Sequence, residues 1–396
     1  MKWRLIISIW FFFCSIAPGL GQERVDFQFI GDQLSFAFTP AEFQDFNMDL
    51  TQENLEAFTN ALDQKSKGGM VAMLQEYKKN HNPDDWLFYQ LVRKTAQQIS
   101  PKAENYIRYT LYKWYLLTRM GYDAILTTNG QKLLFYAYCE EPVYNIPGRV
   151  EAGKTYICLN YHDYGNIDFD KESFITMNLP NSSAANAFTY KIHQMPDFPD
   201  HSYIEKDISF KYYHQEYHFR VKMNKEVKTI FANYPTVEYA DQFNIPLSPQ
   251  TYLSLIPALR KNVDKMNVKN GVDFLMRFTR YAFLFKPDIE VFGDEKRLSP
   301  EQTLLYSESD CDDRAALFFY LVKEIYNMPM IVVAYTDHVT IGIELEKPIG
   351  SYVVHEGRKF TLCEPTPQKY DLSIGQILPS LKKAGYHIAY SYIPEK

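Results

Sequence analysis

A series of motifs occurs twice, in the same order, along this 396-residue chain. Each occurrence begins with a strand-like hairpin, followed by the motif Phe-Asn-x-x-Leu-Ser/Thr, which lies at 46–51 and at 243–248. An aromatic-rich helical run, at 109–120 and at 315–326, and several alternating, strand-like segments come next. Because matching motifs in a matching order indicate repeated structure, the sequence predicts two related α+β units. The alternative is that two unrelated α+β domains share a generic pattern.

The predicted organisation of the chain has four parts. Residues 1–21 form a signal peptide, 22–170 a first unit, 171–245 a linker with a β-rich segment, and 246–396 a second unit. The linker contains several prolines between positions 180 and 199, which disfavour regular structure. Each unit is expected to have an N-terminal β-hairpin region.

The N-terminus is typical of a secretory signal. A basic start precedes a short apolar stretch over 5–13 and small residues up to Gly21, after which cleavage is expected. No apolar run reaches the roughly 18 residues of a membrane helix, so no transmembrane span is predicted. Lipid attachment through Cys14 is the less favoured alternative, because Phe13 occupies a position where such signals have a small residue. The protein is therefore expected to be exported, to the periplasm or the extracellular space.

Charge and cysteine content exclude several classes of protein. The formal net charge is −6, which argues against a nucleic-acid-binding protein. Four cysteines follow the predicted signal peptide, too few for a disulfide scaffold and without zinc-site spacing, so free thiols, no metal and no cofactor are expected. They are Cys139, Cys158, Cys311 and Cys363.

One group of residues has the pattern of a thiol enzyme. Cys311 stands at the start of a helical run, where the helix dipole stabilises a thiolate. Neighbouring aspartates oppose this effect, so a cationic partner such as a protonated histidine is required. His338 lies at the head of an alternating strand, and Glu364 lies at the end of the next one. A cysteine, a histidine and a carboxylate in these places are typical of a nucleophile, a base and the group that orients the base.

These segments resemble the motifs of the transglutaminase-like cysteine peptidase superfamily over about residues 278–368. Bacterial members have Pro-Glu-x-x-Leu, then Gly-Asp-Cys, then a His followed by Ala or Val, and then an Asp near Pro-Thr. The matching segments here are Pro300-Glu301 with Leu304, Ser309-Asp310-Cys311, His338-Val339 and Glu364-Pro365-Thr366. The resemblance implies a papain-like α+β fold with Cys311 as nucleophile, His338 as base and Glu364 orienting the imidazole. Ser309 stands where the family usually has Gly, and Glu364 where it has Asp.

The first unit lacks these side chains. Aligning the two units places Asn105 near Cys311, Lys132 near His338 and Asn160 near Glu364. Because none of the three can perform the corresponding step, the first unit is expected to be a degenerate, non-catalytic copy.

The leading hypothesis is an exported thiol acyl-transfer enzyme acting on a peptide or protein amide. Hydrolysis by a peptidase or amidase is favoured over crosslinking, because water is abundant and no dedicated amine site is visible in the sequence. The second hypothesis is a binding or scaffold protein in which the triad is idle. A third, carbohydrate binding, depends only on the aromatic content of 16%.

Overall fold

The computed structural model describes residues 23–39, 43–65, 68–165, 167–179, 185–285, 296–306 and 308–395. The predicted signal peptide with Cys14, and Pro180 of the predicted linker, lie outside these residues. Within the described ranges, every helix is too short or too polar to span a bilayer.

The first part of the chain is a hairpin, a group of helices and an antiparallel sheet. Its elements are β1 (Glu23–Phe29), β2 (Asp32–Phe38), α1 (Gln52–Lys65), α2 (Gly69–His81), α3 (Asp85–Ile99), α4 (Tyr106–Arg119), β3 (Ala124–Thr128), β4 (Leu133–Tyr138), β5 (Val143–Tyr144), β6 (Gly148–Glu151), β7 (Lys154–Cys158) and β8 (Ile175–Met177).

The second part also begins with a hairpin. Its elements are β9 (Tyr203–Tyr212), β10 (Gln215–Asn224), α5 (Glu226–Ile230), β11 (Thr236–Val237), α6 (Tyr239–Phe243), α7 (Pro249–Val263), α8 (Val268–Tyr281), β12 (Leu284–Phe285), α9 (Pro300–Leu305), β13 (Glu308–Ser309), α10 (Cys311–Tyr326), β14 (Met330–Ala334), β15 (Val339–Ile343), β16 (Tyr352–His355), β17 (Arg358–Cys363) and β18 (His387–Tyr392). Short 3-10 turns lie at Tyr161–Tyr164, Asp200–Ser202 and Leu381–Lys383.

Two sheets dominate the described part of the chain, and they have the same strand order. The first runs β6-β7-β4-β3-β8 and the second β16-β17-β15-β14-β18, with every neighbouring pair antiparallel. Helix α4 immediately precedes β3, and helix α10 immediately precedes β14. Each of these two strands is second from one edge of its sheet. The predicted mixed α+β class is therefore confirmed.

The first sheet extends beyond residue 170. Strand β8, which pairs with β3, lies inside the segment that the sequence analysis placed in a linker. Only three residues form this strand, and the first two are exposed. Such a short segment lacks a recognisable alternation, which is why the sequence pattern missed it.

Helix α10 owes its start to a capping box. The Asp310 carboxylate accepts hydrogen bonds from the backbone N–H groups of Asp312, at 3.0 Å, and of Asp313, at 3.2 Å. The Asp313 carboxylate accepts from the Asp310 backbone N–H in return. The helix ends at Asn327, which adopts the left-handed conformation. Residues 313–322 are all buried, and after the first turn this part of the helix is apolar on every side.

The buried carboxylate of Glu301 connects α9 to the start of α7. It accepts hydrogen bonds from the Ser248 backbone N–H, from Ser248 Oγ at 2.7 Å and from Thr251 Oγ1 at 2.8 Å. A negative charge is favourable at a helix N-terminus. Helix α9 packs on α10, so this contact helps to fix the position of the helix that begins with Cys311.

The two parts of the chain share one hydrophobic core. Trp86 on α3 donates its indole N–H to the Ile230 carbonyl at 2.9 Å, and its ring contacts those of Tyr190 and Tyr234. Strand β5 of the first part pairs with β11 of the second, placing Tyr144 opposite Thr236. The first part is therefore attached directly to the segment that leads into α6.

Lys113 is a buried cation on α4. Its ammonium lies 4.5 Å from the ring centre of Tyr109 and 5.7 Å from that of Tyr106. Burial lowers the pKa of Lys113 to about 7, although the charge of Asp163 opposes the shift. Burying a cation in this way costs stability unless the rings and Asp163 fully compensate.

We expect Lys113→Met to raise the free energy of unfolding at pH 7 by about 1–3 kcal/mol, because a similar volume is buried without a charge. Between pH 7 and pH 10.5 the unfolded lysine keeps a proton that the folded lysine has lost. The wild-type protein therefore gains stability as the pH rises, and the advantage of Met should shrink at about pH 9.5. Urea titrations at both pH values measure these differences. Lys94→Met, at an exposed position on α3, is the control. An equal loss of stability at both pH values would show that Lys113 remains charged and stabilising.

Candidate active site

Cys311 is the first residue of α10, and its side chain is partly exposed. The thiol donates a weak hydrogen bond to Asp312 Oδ1 at 3.5 Å. The backbone N–H of Val339, the residue after His338, lies close enough to the thiol to lower its pKa. Helix α10 packs on β15, so Cys311 and His338 belong to neighbouring elements.

His338 and Glu364 form a direct, buried hydrogen bond. His338 precedes β15 and Glu364 follows β17, and these strands are neighbours in the second sheet. The His338 Nε2–H group donates to Glu364 Oε2 at 2.7 Å. The other carboxylate oxygen, Oε1, accepts from the Thr366 backbone N–H at 2.9 Å. Glu364 is fully buried, so both of its oxygens have partners inside the protein.

This hydrogen bond determines which ring nitrogen can serve as a base. Because Nε2 carries the proton donated to Glu364, Nδ1 is the nitrogen with a free lone pair. In the structure the thiol proton is directed to Asp312 rather than to His338. Transfer to Nδ1 therefore requires the thiol to turn away from Asp312 and towards His338.

The electrostatic environment keeps the thiol protonated. Burial, the charges of Asp312 and Asp310 and the hydrogen bond to Asp312 raise the pKa of Cys311 well above its usual range, while the Val339 N–H opposes them. In this arrangement burial and the aspartates outweigh any stabilisation of a thiolate by the start of the helix.

The pKa of His338 is raised above its usual value. Burial of the ring lowers this pKa, but the hydrogen bond to Glu364 and the charges of Glu364, Asp312 and Asp337 raise it by more. A more basic imidazole is a better acceptor for a thiol proton. The pair is therefore arranged for general-base activation of a neutral thiol rather than for a standing thiolate.

Buried arginines on α8 hold the backbone around Glu364. Arg280 donates to the carbonyl of Glu364, and also to the Leu372 carbonyl and to Asp371 Oδ1, both at 2.8 Å. Arg277 donates to the other oxygen of Asp371 at 2.7 Å. These contacts fix the end of β17 and so fix the position from which Glu364 reaches His338.

Arg314, next to the capping box, joins α10 to the end of α8. Its buried guanidinium donates to the carbonyls of Thr279 at 3.0 Å, Arg280 at 2.8 Å and Phe283 at 3.1 Å. These are carbonyls at a helix C-terminus, which lack partners within the helix. The first turn of α10 is therefore attached to the same helix that supports Glu364.

The sequence analysis missed the residues that hold Asp312. Its Oδ2 atom accepts from Arg297 Nε at 3.1 Å and from the Tyr239 hydroxyl at 3.2 Å. The Arg297 guanidinium also lies 3.9 Å from the centre of the Tyr239 ring. Tyr239 and Arg297 are far from Cys311 in the sequence and belong to no motif, so no local signal could have identified them.

The corresponding end of the first sheet has different chemistry. The Tyr106 hydroxyl, at the start of α4, accepts from Asn160 Nδ2 at 2.9 Å and donates to Asp163 Oδ2 at 2.8 Å. Lys132 pairs with Glu172 at 2.6 Å. Asn105, predicted to match Cys311, is instead the N-cap of α4, the position that Asp310 has in α10. When the two helices are aligned by their first residues, Tyr106 rather than Asn105 corresponds to Cys311, because α10 is two residues longer than α4 and the connection that follows it is one residue shorter.

The other cysteines are buried, free thiols, as predicted. Cys139, Cys158 and Cys363 form no disulfide. Burial raises the pKa of Cys139 to about 11 and that of Cys158 to about 12. Among the described residues, no group of histidine, cysteine and acidic side chains is arranged to hold a metal ion.

Comparisons with known proteins identify no relative. No family model, no curated protein sequence and no solved structure matches the chain. The assignment of a function therefore depends on the geometry and chemistry of the site.

We expect Asp312→Asn to accelerate alkylation of Cys311 by iodoacetamide at neutral pH by about tenfold, since removing one nearby charge shifts a pKa by about one unit. The pH profile of alkylation, followed by peptide mapping, should move to lower pH. The control is Asp337→Asn. Asp337 is adjacent to His338 in the sequence, as Asp312 is to Cys311, but it lies at an exposed position. Its replacement should therefore have a smaller effect on the pH profile of alkylation. An unchanged profile in Asp312→Asn would contradict the role assigned to this carboxylate.

We expect Glu364→Gln to lower the pKa of His338 by about one unit or more, because the neutral amide keeps a hydrogen-bond acceptor but removes the charge. A titration of the His338 ring protons by NMR measures the shift, with the signal of His355 on β16 as the internal reference. If the His338 titration were unaffected, the carboxylate would not control the charge of the imidazole.

Proposed function

We propose that this protein is an exported thiol acyl-transfer enzyme acting on amide bonds, with Cys311 as nucleophile, His338 as base and Glu364 orienting the base. The main support is the 2.7 Å hydrogen bond between His338 and the buried Glu364, beside a partly exposed thiol at a helix start. A buried carboxylate that orients an imidazole next to a thiol is the arrangement of cysteine acyl-transfer enzymes.

The proposed reaction has two halves. Cys311 Sγ attacks the amide carbonyl carbon while its proton passes to His338 Nδ1, and His338 then protonates the departing amine, leaving a thioester. In the second half, water attacks the thioester carbonyl and gives a proton to His338. The carbon–sulfur bond breaks, the carboxylic acid leaves and the proton returns to Cys311. Hydrolysis is favoured over crosslinking because water needs no binding site of its own.

We further propose that the second unit has a transglutaminase-like fold and that the first unit is its degenerate copy. The common strand order of the two sheets, each following a long helix, supports duplication. In the first unit the Tyr106–Asn160 hydrogen bond occupies the ends of the elements that provide Cys311 and Glu364 in the second. A phenol and an amide form a stable contact there but cannot perform acyl transfer.

Two observations favour the second candidate, a binding protein with an idle triad. The thiol is hydrogen-bonded to Asp312 rather than to His338, and its pKa is raised by burial and by its acidic neighbours. In that case the His338–Glu364 pair would be a structural remnant.

Alkylation of Cys311 distinguishes the two candidates. If the triad is active, His338 should take the thiol proton as the sulfur attacks, so His338→Ala should slow the alkylation of Cys311 by iodoacetamide at neutral pH by about tenfold. The matched control is Lys132→Ala, at the corresponding place in the first unit, which should leave the rate unchanged. An alkylation rate of Cys311 that is the same in the wild-type protein and in His338→Ala would favour the binding protein with an idle triad.

A second measurement tests the reaction itself. An unfolded protein substrate incubated with the full mature chain in ¹⁸O-labelled water should yield peptides with ¹⁸O in their new carboxyl groups, and Cys311→Ser should abolish them. Incorporation of a fluorescent primary amine into the substrate, without ¹⁸O, would instead assign crosslinking activity.

A further inference from the structure

A cavity beside Cys311 is bordered by both units. Its volume is about 530 Å³, within the usual range of ligand sites. Asp310 and Asp312, on either side of Cys311, form one wall. Tyr144 and Asn145, from the end of β5 in the first unit, form another.

The first-unit wall is held rigidly against the second unit. The Tyr144 hydroxyl donates a hydrogen bond to the Glu238 carboxylate, and Asn145 Nδ2 donates to Thr236 Oγ1 at 3.1 Å. These contacts extend the pairing of β5 with β11. Tyr144 nevertheless remains 46% exposed. A large aromatic side chain that is fixed in place and exposed beside a cavity is suited to contact with a ligand.

The floor of the cavity includes the start of an edge strand. His387, Ile388 and Ala389 of β18 line it. Strand β18 pairs with β14 on one side, and it is the last strand of its sheet among the described residues. The register of that pairing shifts at Ala389, where a bulge interrupts it. Such an edge presents backbone N–H and C=O groups to which an extended peptide can add as a further strand.

The open end of β18 lies at the catalytic end of the sheet. His387 is opposite Ala334, the last residue of β14, and the chain then continues through Tyr335 to His338. The Tyr335 ring lies between those of His338 and Tyr386, with centre distances of 6.5 Å and 5.8 Å. A peptide lying along β18 would therefore run towards the reacting groups.

We propose that the acyl donor is an extended polypeptide segment that adds to the edge of β18 and packs an aromatic or large apolar side chain on Tyr144. The non-catalytic unit thereby provides part of the substrate-binding cleft. This inference rests on the proposed thiol chemistry of Cys311. Acidic residues (Asp310, Asp312 and Glu238) and basic residues (Lys296 and Arg297) both line the cavity, so the contact with Tyr144 rather than charge is expected to select the substrate.

The test uses two electrophiles that differ in size. Iodoacetamide reports on Cys311 alone. Acetyl-tripeptide chloromethyl ketones, which lose chloride as a thioether forms at the sulfur, also report on the cleft. With a phenylalanine in the peptide, Tyr144→Ala should raise the concentration for half-maximal inactivation by about tenfold, with the maximal inactivation rate and the iodoacetamide rate unchanged. Tyr144→Phe keeps the ring but loses the hydrogen bond to Glu238, so it should have a smaller effect than Tyr144→Ala.

Tyr352→Ala is the matched control. Tyr352 is 45% exposed and lies on β16, the opposite edge of the same sheet. It should not affect either electrophile. A chloromethyl ketone with N-methylated peptide bonds should inactivate the protein only at much higher concentration than the unmethylated peptide, because it cannot donate the backbone hydrogen bonds of strand addition. A peptide with aspartate in place of phenylalanine should also bind less well.

The outcomes separate the two proposals. Normal iodoacetamide reactivity with no effect of Tyr144→Ala on the peptide probe would overturn the cleft assignment and leave the thiol enzyme in place. A stronger effect of Tyr352→Ala would move the substrate to the other edge and overturn it as well. A Cys311 that is inert to both electrophiles would overturn the proposed function together with this inference.

Discussion

The hydrogen bond between His338 and Glu364 is the interaction on which the site depends. A fully buried carboxylate is costly unless its charge and lone pairs have partners. Here the imidazole satisfies one oxygen and the Thr366 backbone N–H satisfies the other. Arg280 holds the carbonyl of the same residue from α8. The orientation of the imidazole is therefore set by the requirement to pair a buried charge, and that orientation leaves Nδ1 for the thiol.

The thiol side of the site is under the opposite electrostatic influence. Asp310 caps the start of α10, and its charge raises the pKa of the adjacent thiol. Asp312 accepts the thiol proton and is itself held by Arg297 and Tyr239. The carboxylate that caps the start of α10 is therefore also a charge that makes the Cys311 thiol harder to ionise. An activating role for His338 follows from this conflict, because its raised pKa is the available compensation.

In the proposed function the second unit carries the reacting groups, and the first unit contributes to the core and to the cleft. The first unit has a phenol–amide contact where the second has its reacting groups, and it contributes to the common core through Trp86. Its strand β5 reaches the cavity beside Cys311 with Tyr144. Loss of catalytic side chains does not remove selection on such a unit if its surface forms part of a cleft. If the first unit is a degenerate copy, as we propose, its retention then has a physical reason.

The sequence by itself determined the local structure: the mixed α+β class, the helix beginning at Cys311, the strands bounded by His338 and Glu364, and the free cysteines. Capping residues and alternation act over a few positions, so they are readable without a fold. Only the tertiary structure decided that Asp312 takes the thiol proton, that Arg297 and Tyr239 hold Asp312, and that Tyr144 borders the cavity. Arg297 and Tyr239 lie 15 and 73 residues before Asp312, and even the contact between the adjacent Cys311 and Asp312 depends on how those two residues hold the carboxylate. The energies of these contacts depend on burial and on the geometry of packing, neither of which has a local sequence pattern.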